Sequence, residues 1–279
     1  RKFANLSASP GAKSSLASMF ATVATVATSA LSFSAAPFGP VPGDALSGLW
    51  PQPAFAAASG SAMCLDSGFA FEVSSPVSSA ARARLELAFT RTKGKIFSDV
   101  QAQTMEETNA LTALSVSVVS DDLTLNASTN DAYVLSVLGT KPSTASLYAQ
   151  TVYGVLKGLE TFSQLTTRTL SAACPATGVG INSTVVTIRD APRFGWRGVM
   201  LDSARHFLPV ATIEHFLDAM EMNKYNVLHW HISDSQSFPL KTRRTPAAPT
   251  RRRSPTQSPT RAASSPTRPT AAFASCPSS

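Results

Sequence analysis

The segment from Gly198 to Ile232 constrains the fold of this chain more than any other part, because it predicts a strand, a helix and a second strand in succession. Gly198 to Leu201 is a short apolar run, and Asn226 to Ile232 has strand character. Between them, apolar side chains recur at the spacing of one helix face: Ile213, Phe216, Leu217 and Met220. Two strands joined by a helix imply parallel strands and a right-handed crossover.

Polar side chains follow each of these two strands. Arg205 lies in the string after the first strand, and Asp234 lies in the loop after the second. Because the loops at the carboxyl ends of parallel strands build the active sites of such folds, we expect both residues at the same face. His229 and His231 alternate with Trp230, so the two histidines should point to one side of their strand.

The same residues carry a family resemblance. PRFGWRGVMLDSARHFLP, followed by NKYNVLHWHISDSQSFPL, resembles the start of the catalytic barrel of the family 20 glycoside hydrolases, the β-N-acetylhexosaminidases. Upstream, LWPQP and TVYGVLKGLETFSQL resemble the amino-terminal α+β domain that precedes this barrel. The resemblance implies a mixed α/β and α+β chain: an α+β sheet-and-helix domain over residues 49–190, then the first two strands of an incomplete TIM (β/α)8 barrel over 191–240.

The resemblance also implies roles for three residues in substrate binding. Arg205 matches an arginine that hydrogen-bonds hydroxyls of a terminal N-acetylhexosamine, a task suited to a guanidinium with fixed donors. Asp234 matches an acid that holds this arginine or the sugar, and His231 is the histidine expected near the sugar. Other roles stay open: Arg205 could form an ion pair with Asp202 or Asp234, Asp234 could cap a helix, and the histidines could simply pack.

The chemistry implied for the family needs two acids on a later barrel strand. The acetamido oxygen of the substrate attacks the anomeric carbon, a glutamic acid protonates the leaving group, and a neighbouring aspartate orients the acetamido group. From Ser235 to Ser279 there is no Asp and no Glu. We therefore expect no catalytic residue in this chain and no release of sugar by it, and no metal or other cofactor is predicted.

The region before the barrel segment predicts several further elements. Strands are expected at Phe69 to Val73, Leu114 to Val119, Tyr133 to Leu138 and Val185 to Arg189. Ala80 to Ala88 is expected to be the start of a helix, and Ser146 to Leu165 a long helix. This pattern suits one sheet with helices packed on one face.

Residues 1–48 predict a targeting segment and linker. Ser15 to Ala36 is apolar with small residues and follows basic residues, which is typical of a secretory signal peptide and weak as a membrane span. Asn126 and Asn182 begin glycosylation triplets, and Cys64 and Cys174 are a candidate disulfide pair. The expected location is the secretory pathway, ending in a lysosome, a vacuole or the extracellular space, with no stable membrane anchor.

Residues 241–279 differ in composition from everything before them. They contain seven prolines and eight Lys or Arg, so removing these eight from the total of 24 basic residues leaves 16 against 17 acids. Such a segment cannot bury a core, and we expect it to be disordered. A basic tail could bind nucleic acid or acidic lipid, but the abrupt change suggests a frameshift, a retained intron or a mis-joined gene model, so no nucleic-acid partner is expected.

Two classes of function follow. The first is an exo-acting β-N-acetylhexosaminidase, which would remove terminal N-acetylglucosamine or N-acetylgalactosamine from glycans or chitin oligosaccharides, with a homodimer considered for the full-length parent. The second is a non-catalytic sugar-binding remnant or non-functional fragment, which the missing acid pair favours.

Overall fold

The computed structural model describes residues 46, 48–98, 110–139, 143–168, 174–175, 177–235, 237–239 and 272–273. These residues form an eight-stranded mixed sheet, a smaller sheet of three parallel strands, and three α-helices. The expected signal peptide lies outside the described residues, as does the predicted tail apart from residues 272–273. No helix in the described part of the chain is long and apolar enough to cross a membrane.

The larger sheet contains eight strands: β1 (Phe55–Ser59), β2 (Met63–Val73), β3 (Leu111–Ser120), β4 (Tyr133–Leu138), β5 (Thr144–Thr151), β6 (Thr166–Thr167), β7 (Gly180–Ile181) and β8 (Val185–Asp190). Their order across the sheet is β1-β8-β4-β5-β3-β2-β7-β6. β3 runs parallel to β2 and β5, whereas β4 is antiparallel to both of its neighbours. The predicted strands at Leu114 to Val119, Tyr133 to Leu138 and Val185 to Arg189 are confirmed.

Two helices, α1 (Ser79–Phe97) and α2 (Val152–Leu165), pack on this sheet. Phe69 and Phe71 lie two residues apart on β2 and therefore share one face of it. Phe71 stacks on Phe89 of α1 at 4.8 Å, and Phe69 stacks on Phe162 of α2 at 5.6 Å between ring centroids. Both helices thus cover the same face of β2, and this aromatic group lies within the main hydrophobic core.

The prediction of one long helix from Ser146 is wrong in its first part. Residues up to Thr151 belong to β5, and the helix begins at Val152. Ala145, Leu147 and Ala149 alternate as buried side chains between β3 and β4, a period of two that only a strand provides. Thr151 then caps the helix, because its hydroxyl accepts a hydrogen bond from the backbone N–H of Gly154 at 3.2 Å.

The expected strand-helix-strand segment is confirmed. It consists of β9 (Gly198–Asp202), α3 (Val210–Met222) and β10 (Val227–His231), which we call the crossover unit. β9 and β10 are parallel, with Val227 opposite Gly198 and His231 opposite Asp202. On its other side β10 pairs in parallel with β11 (Ala272–Phe273), a two-residue strand within the segment predicted as a tail.

The expected pairing of Cys64 with Cys174 is confirmed by a disulfide whose Cα atoms are 5.4 Å apart. Cys64 lies on β2 next to β7, so the bond ties this end of the larger sheet to the segment that leads into β7. Cys174 is fully buried.

Candidate functional site

The carboxyl ends of β9 and β10 bring a group of polar side chains together, and Asp202 is at its centre. One carboxylate oxygen, Oδ1, accepts hydrogen bonds from the backbone N–H groups of Ala204 and Arg205, each at 3.0 Å. The other oxygen, Oδ2, accepts from Nη1 of Arg205 at 2.8 Å. The last residue of β9 therefore shapes the loop that follows it and also holds the arginine of that loop.

Arg205 and Asp234 meet, as their positions after adjacent parallel strands predict. Nε of Arg205 donates to Oδ2 of Asp234 at 3.2 Å. Asp234 is fixed in turn by its own loop, where paired backbone hydrogen bonds join it to Ser237 at 2.9 and 3.2 Å. The guanidinium of Arg205 thus lies between two carboxylates, one at the end of β9 and one in the loop after β10.

The last three residues of β10 lie in three different environments. Nδ1 of His231 lies 3.2 Å from Oδ1 of Asp202, so this histidine belongs to the polar group. Trp230 donates its indole N–H to Oγ of the buried Ser203 at 2.8 Å. His229 is exposed. All three predicted binding residues, Arg205, Asp234 and His231, therefore lie around Asp202. The sequence predicted Asp202 only as a possible ion-pair partner of Arg205.

Asp202, Arg205 and their neighbours favour one another's charged forms. The pKa of Asp202 is lowered to about 2, mainly by the hydrogen bond from the backbone N–H of Arg205 and further by His231 and the Arg205 charge. The pKa of Arg205 is raised, first by Asp234 and then by Asp202. At neutral pH both groups are therefore charged.

The arrangement leaves donors available to a ligand. A guanidinium carries five N–H donors, and within the described residues the two carboxylates engage Nε and Nη1. The side chain of Arg205 is 61% exposed, so a ligand can reach the guanidinium from solvent. The fixed direction of guanidinium N–H groups suits oxygen acceptors such as hydroxyl groups. Among the described residues no group of His, Cys, Asp and Glu is placed to hold a metal ion.

Comparison with protein families gives matches to two separate parts of the chain. The family 20 glycosyl hydrolase catalytic domain matches residues 194–262, and a domain described as beta-acetyl hexosaminidase like matches residues 49–165. The first match includes every residue of the polar group around Asp202 and extends past residue 240. Both matches are to glycoside hydrolase domains.

Relatives agree with these matches. Beta-hexosaminidase 1 of Arabidopsis thaliana is 39% identical over 154 residues, covering 54% of this chain and 28% of the relative. The beta subunit of Homo sapiens beta-hexosaminidase is 41% identical over 168 residues, covering 57% and 28%. The chain belongs to glycoside hydrolase family 20, whose β-hexosaminidases it resembles throughout the matched regions. It spans about 28% of the length of these two relatives.

Solved structures share the fold. A chitobiase of Flavobacterium johnsoniae superposes with a TM-score of 0.56 at 25% identity, covering 73% of this chain and 30% of that one. A family 20 exo beta-N-acetylglucosaminidase of Vibrio harveyi, solved with N-acetylglucosamine, superposes with a TM-score of 0.53 at 21% identity, covering 76% and 29%. Together with the sheets and helices described above, these neighbours establish an α/β fold.

Proposed function

We propose that the polar group around Asp202 is part of the sugar-binding pocket of an exo-acting β-N-acetylhexosaminidase, with Arg205, Asp234 and His231 on the substrate side. The observation that carries this proposal is the position of Arg205 between two carboxylates. They hold the guanidinium in one orientation, and the side chain is still 61% exposed. A preorganised planar donor of this kind suits the neighbouring hydroxyl groups of a terminal N-acetylglucosamine or N-acetylgalactosamine.

The crossover unit would form the opening of a (β/α)8 barrel in this proposal. Its two strands are parallel, and the polar group lies at their carboxyl ends, which is where barrel enzymes place their active sites. The larger sheet would then be the domain that precedes the barrel in the family. The substrates would be glycans or chitin oligosaccharides that end in an N-acetylhexosamine.

We expect the protein to enter the secretory pathway. The disulfide between Cys64 and Cys174 supports this location, because disulfides persist in oxidising compartments. A lysosome, a vacuole or the extracellular space would each be compatible with it.

Sugar binding can be tested on this chain directly. N-acetylglucosamine is titrated into ¹⁵N-labelled protein, and chemical-shift changes are followed at Arg205, His231 and Trp230. We expect saturable changes there, which Arg205→Ala should remove. Arg82→Ala is the matched control, since Arg82 is an exposed arginine on α1, which packs on the larger sheet and not on the crossover unit's polar group. Equal shifts in wild type and Arg205→Ala would contradict the proposal.

Hydrolysis is a separate question from binding. The residues after Asp234 include no Asp or Glu, and family chemistry needs an acid to protonate the leaving group. This observation favours the second candidate, a non-catalytic sugar-binding remnant or non-functional fragment, for the polypeptide as it stands. Purified polypeptide of this sequence is therefore expected to release no chromophore from a chromogenic N-acetyl-β-glucosaminide. Sustained turnover would refute this, and a transcript read past the codon for Leu240 would show whether another frame encodes the acids.

A further inference from the structure

Two ion pairs join the amino ends of β9 and β10 to the larger sheet, and a third joins α3 to α1 through Arg91 and Glu221 at 2.9 Å. Arg197, directly before β9, forms an ion pair through Nη2 with Asp131, whose side chain is 5% exposed. Lys224, shortly before β10, forms an ion pair through Nζ with Asp190 at 2.9 Å. Asp131 precedes β4 and Asp190 ends β8, so both carboxylates come from neighbouring strands of the larger sheet.

The Lys224 pair is built into a buried hydrogen-bond network. Its ammonium also donates to the hydroxyl of Tyr133 at 2.8 Å and lies 4.9 Å from the centre of that ring. The Tyr133 hydroxyl lies 2.9 Å from Oδ2 of Asp190 and 2.6 Å from Oγ1 of Thr161. Lys224 is only 7% exposed and has a φ of 57°, a left-handed conformation that is uncommon for a residue with a side chain.

The two ion pairs are linked to each other through the chain. Nε of Arg197 donates to the backbone carbonyl of Lys224 at 2.9 Å, and Asn226 accepts from the backbone N–H of Arg197 at 2.9 Å. The amino ends of β9 and β10 are therefore held together as well as to the sheet. We name this set, Arg197, Lys224, Asp131, Asp190 and Tyr133, the basal clamp.

We propose that the basal clamp positions the candidate site by fixing the crossover unit on the larger sheet. Each strand of the unit is five residues long, so the clamp and the polar group around Asp202 are separated by about 16 Å of strand. The residues of the clamp touch none of the site residues. They act by fixing β9 and β10, and the pairing of these two strands places His231 opposite Asp202. This role does not depend on which ligand the site binds.

The small number of buried residues in α3 supports a role for the clamp beyond general stability. Only Ile213 and Met220 of this helix are buried, whereas α2 has ten buried residues. Within the described residues, polar contacts therefore contribute strongly to the orientation of the crossover unit. Buried ion pairs have directional geometry, and removing one partner leaves an uncompensated charge, so they select one arrangement over its alternatives.

Hydrogen exchange with Lys224→Met tests the proposal. We expect backbone amides of β9 and β10 to exchange at least about 100-fold faster than in wild type, while amides of β3 and β5 change by less than about tenfold. The indole N–H signal of Trp230, which reports its bond to Ser203 at the site, should shift or broaden. Unchanged exchange in β9 and β10, or equal acceleration in both sheets, would overturn the proposal.

Lys95→Met is the matched control. It removes a different lysine ion pair, the half-buried Lys95 with Glu160 at 2.6 Å, which joins the two helices α1 and α2 on the larger sheet. We expect it to accelerate exchange in those helices and to leave the Trp230 signal in place. If Lys224→Met does not fold, Tyr133→Phe serves instead, since it keeps the ring and removes only the hydroxyl that bonds Lys224. Roughly tenfold faster exchange in β10 is expected for it, and no difference from wild type would overturn the proposal.

Discussion

Loss of the disulfide between Cys64 and Cys174 should destabilise the larger sheet more than most single changes in the chain. The two cysteines are 110 residues apart in sequence. If the bond acts by restricting the unfolded chain, closing a loop of this length contributes about 4.8 kcal/mol to the free energy of unfolding at 25 °C. The enclosed loop contains strands β3, β4 and β5 and both helices that cover the sheet, so the constraint acts on most of the core.

The measurement is urea unfolding followed by far-ultraviolet circular dichroism, with wild type compared to the Cys64→Ser, Cys174→Ser double variant. The expected loss is about 4 to 5 kcal/mol. Cys276→Ser, which removes the third cysteine and leaves the disulfide intact, is the control and should unfold like wild type. A loss below about 1 kcal/mol in the double variant would refute the entropic reasoning, because strain in the folded state would then have to cancel nearly all of the predicted contribution.

Three further predictions concern single residues. Gly154→Ala places a Cβ atom 2.6 Å from the backbone oxygen of Ala132 and should destabilise by roughly 1 to 3 kcal/mol in urea unfolding, whereas Gly94→Ala, with nothing within 4 Å, should stabilise by about 0.5 to 1 kcal/mol. Thr151→Ala removes the cap of α2 and should cost about 1 kcal/mol in the same measurement. The pKa of Asp202 is lowered to about 2, so its ionised form stabilises the folded state fully above the unfolded pKa of about 3.9, and this contribution is lost as the pH falls towards 2. The ¹³C chemical shift of the Asp202 carboxyl should titrate near pH 2. A midpoint near 4 would contradict the explanation by hydrogen bonding.

The crossover unit could be predicted closely because its signals are local. One apolar helix face and two short flanking apolar runs define the three elements, and parallel pairing follows from their order. That logic also placed Arg205 and Asp234 on adjacent loops, and the structure brings them to 3.2 Å. Their role in binding a sugar remains a prediction.

Other elements could not be predicted because their cause is distant in sequence. β5 contains Ala, Leu, Tyr and Gln, a composition that also suits a helix, and it is a strand because β3 and β4 pair with it on both sides. β1 contains three consecutive alanines and was not predicted as a strand at all, yet it pairs with β8 along its whole length. The contacts of Lys224 could not be predicted, since its partners Tyr133 and Asp190 are 91 and 34 residues away.

The candidate site lies on the part of the described structure that buries the least. In the larger sheet, strands such as β4 and β5 are paired on both sides and packed under α2, so their amides should open only with the whole sheet. β9 is paired on one side only within the described residues, and Met200 at its middle is 53% exposed. Within the described residues, hydrogen bonds at one end of β9 and the basal clamp at the other end hold Arg205 in its direction. A change at either end should therefore alter binding at the site before it alters the stability of the larger sheet.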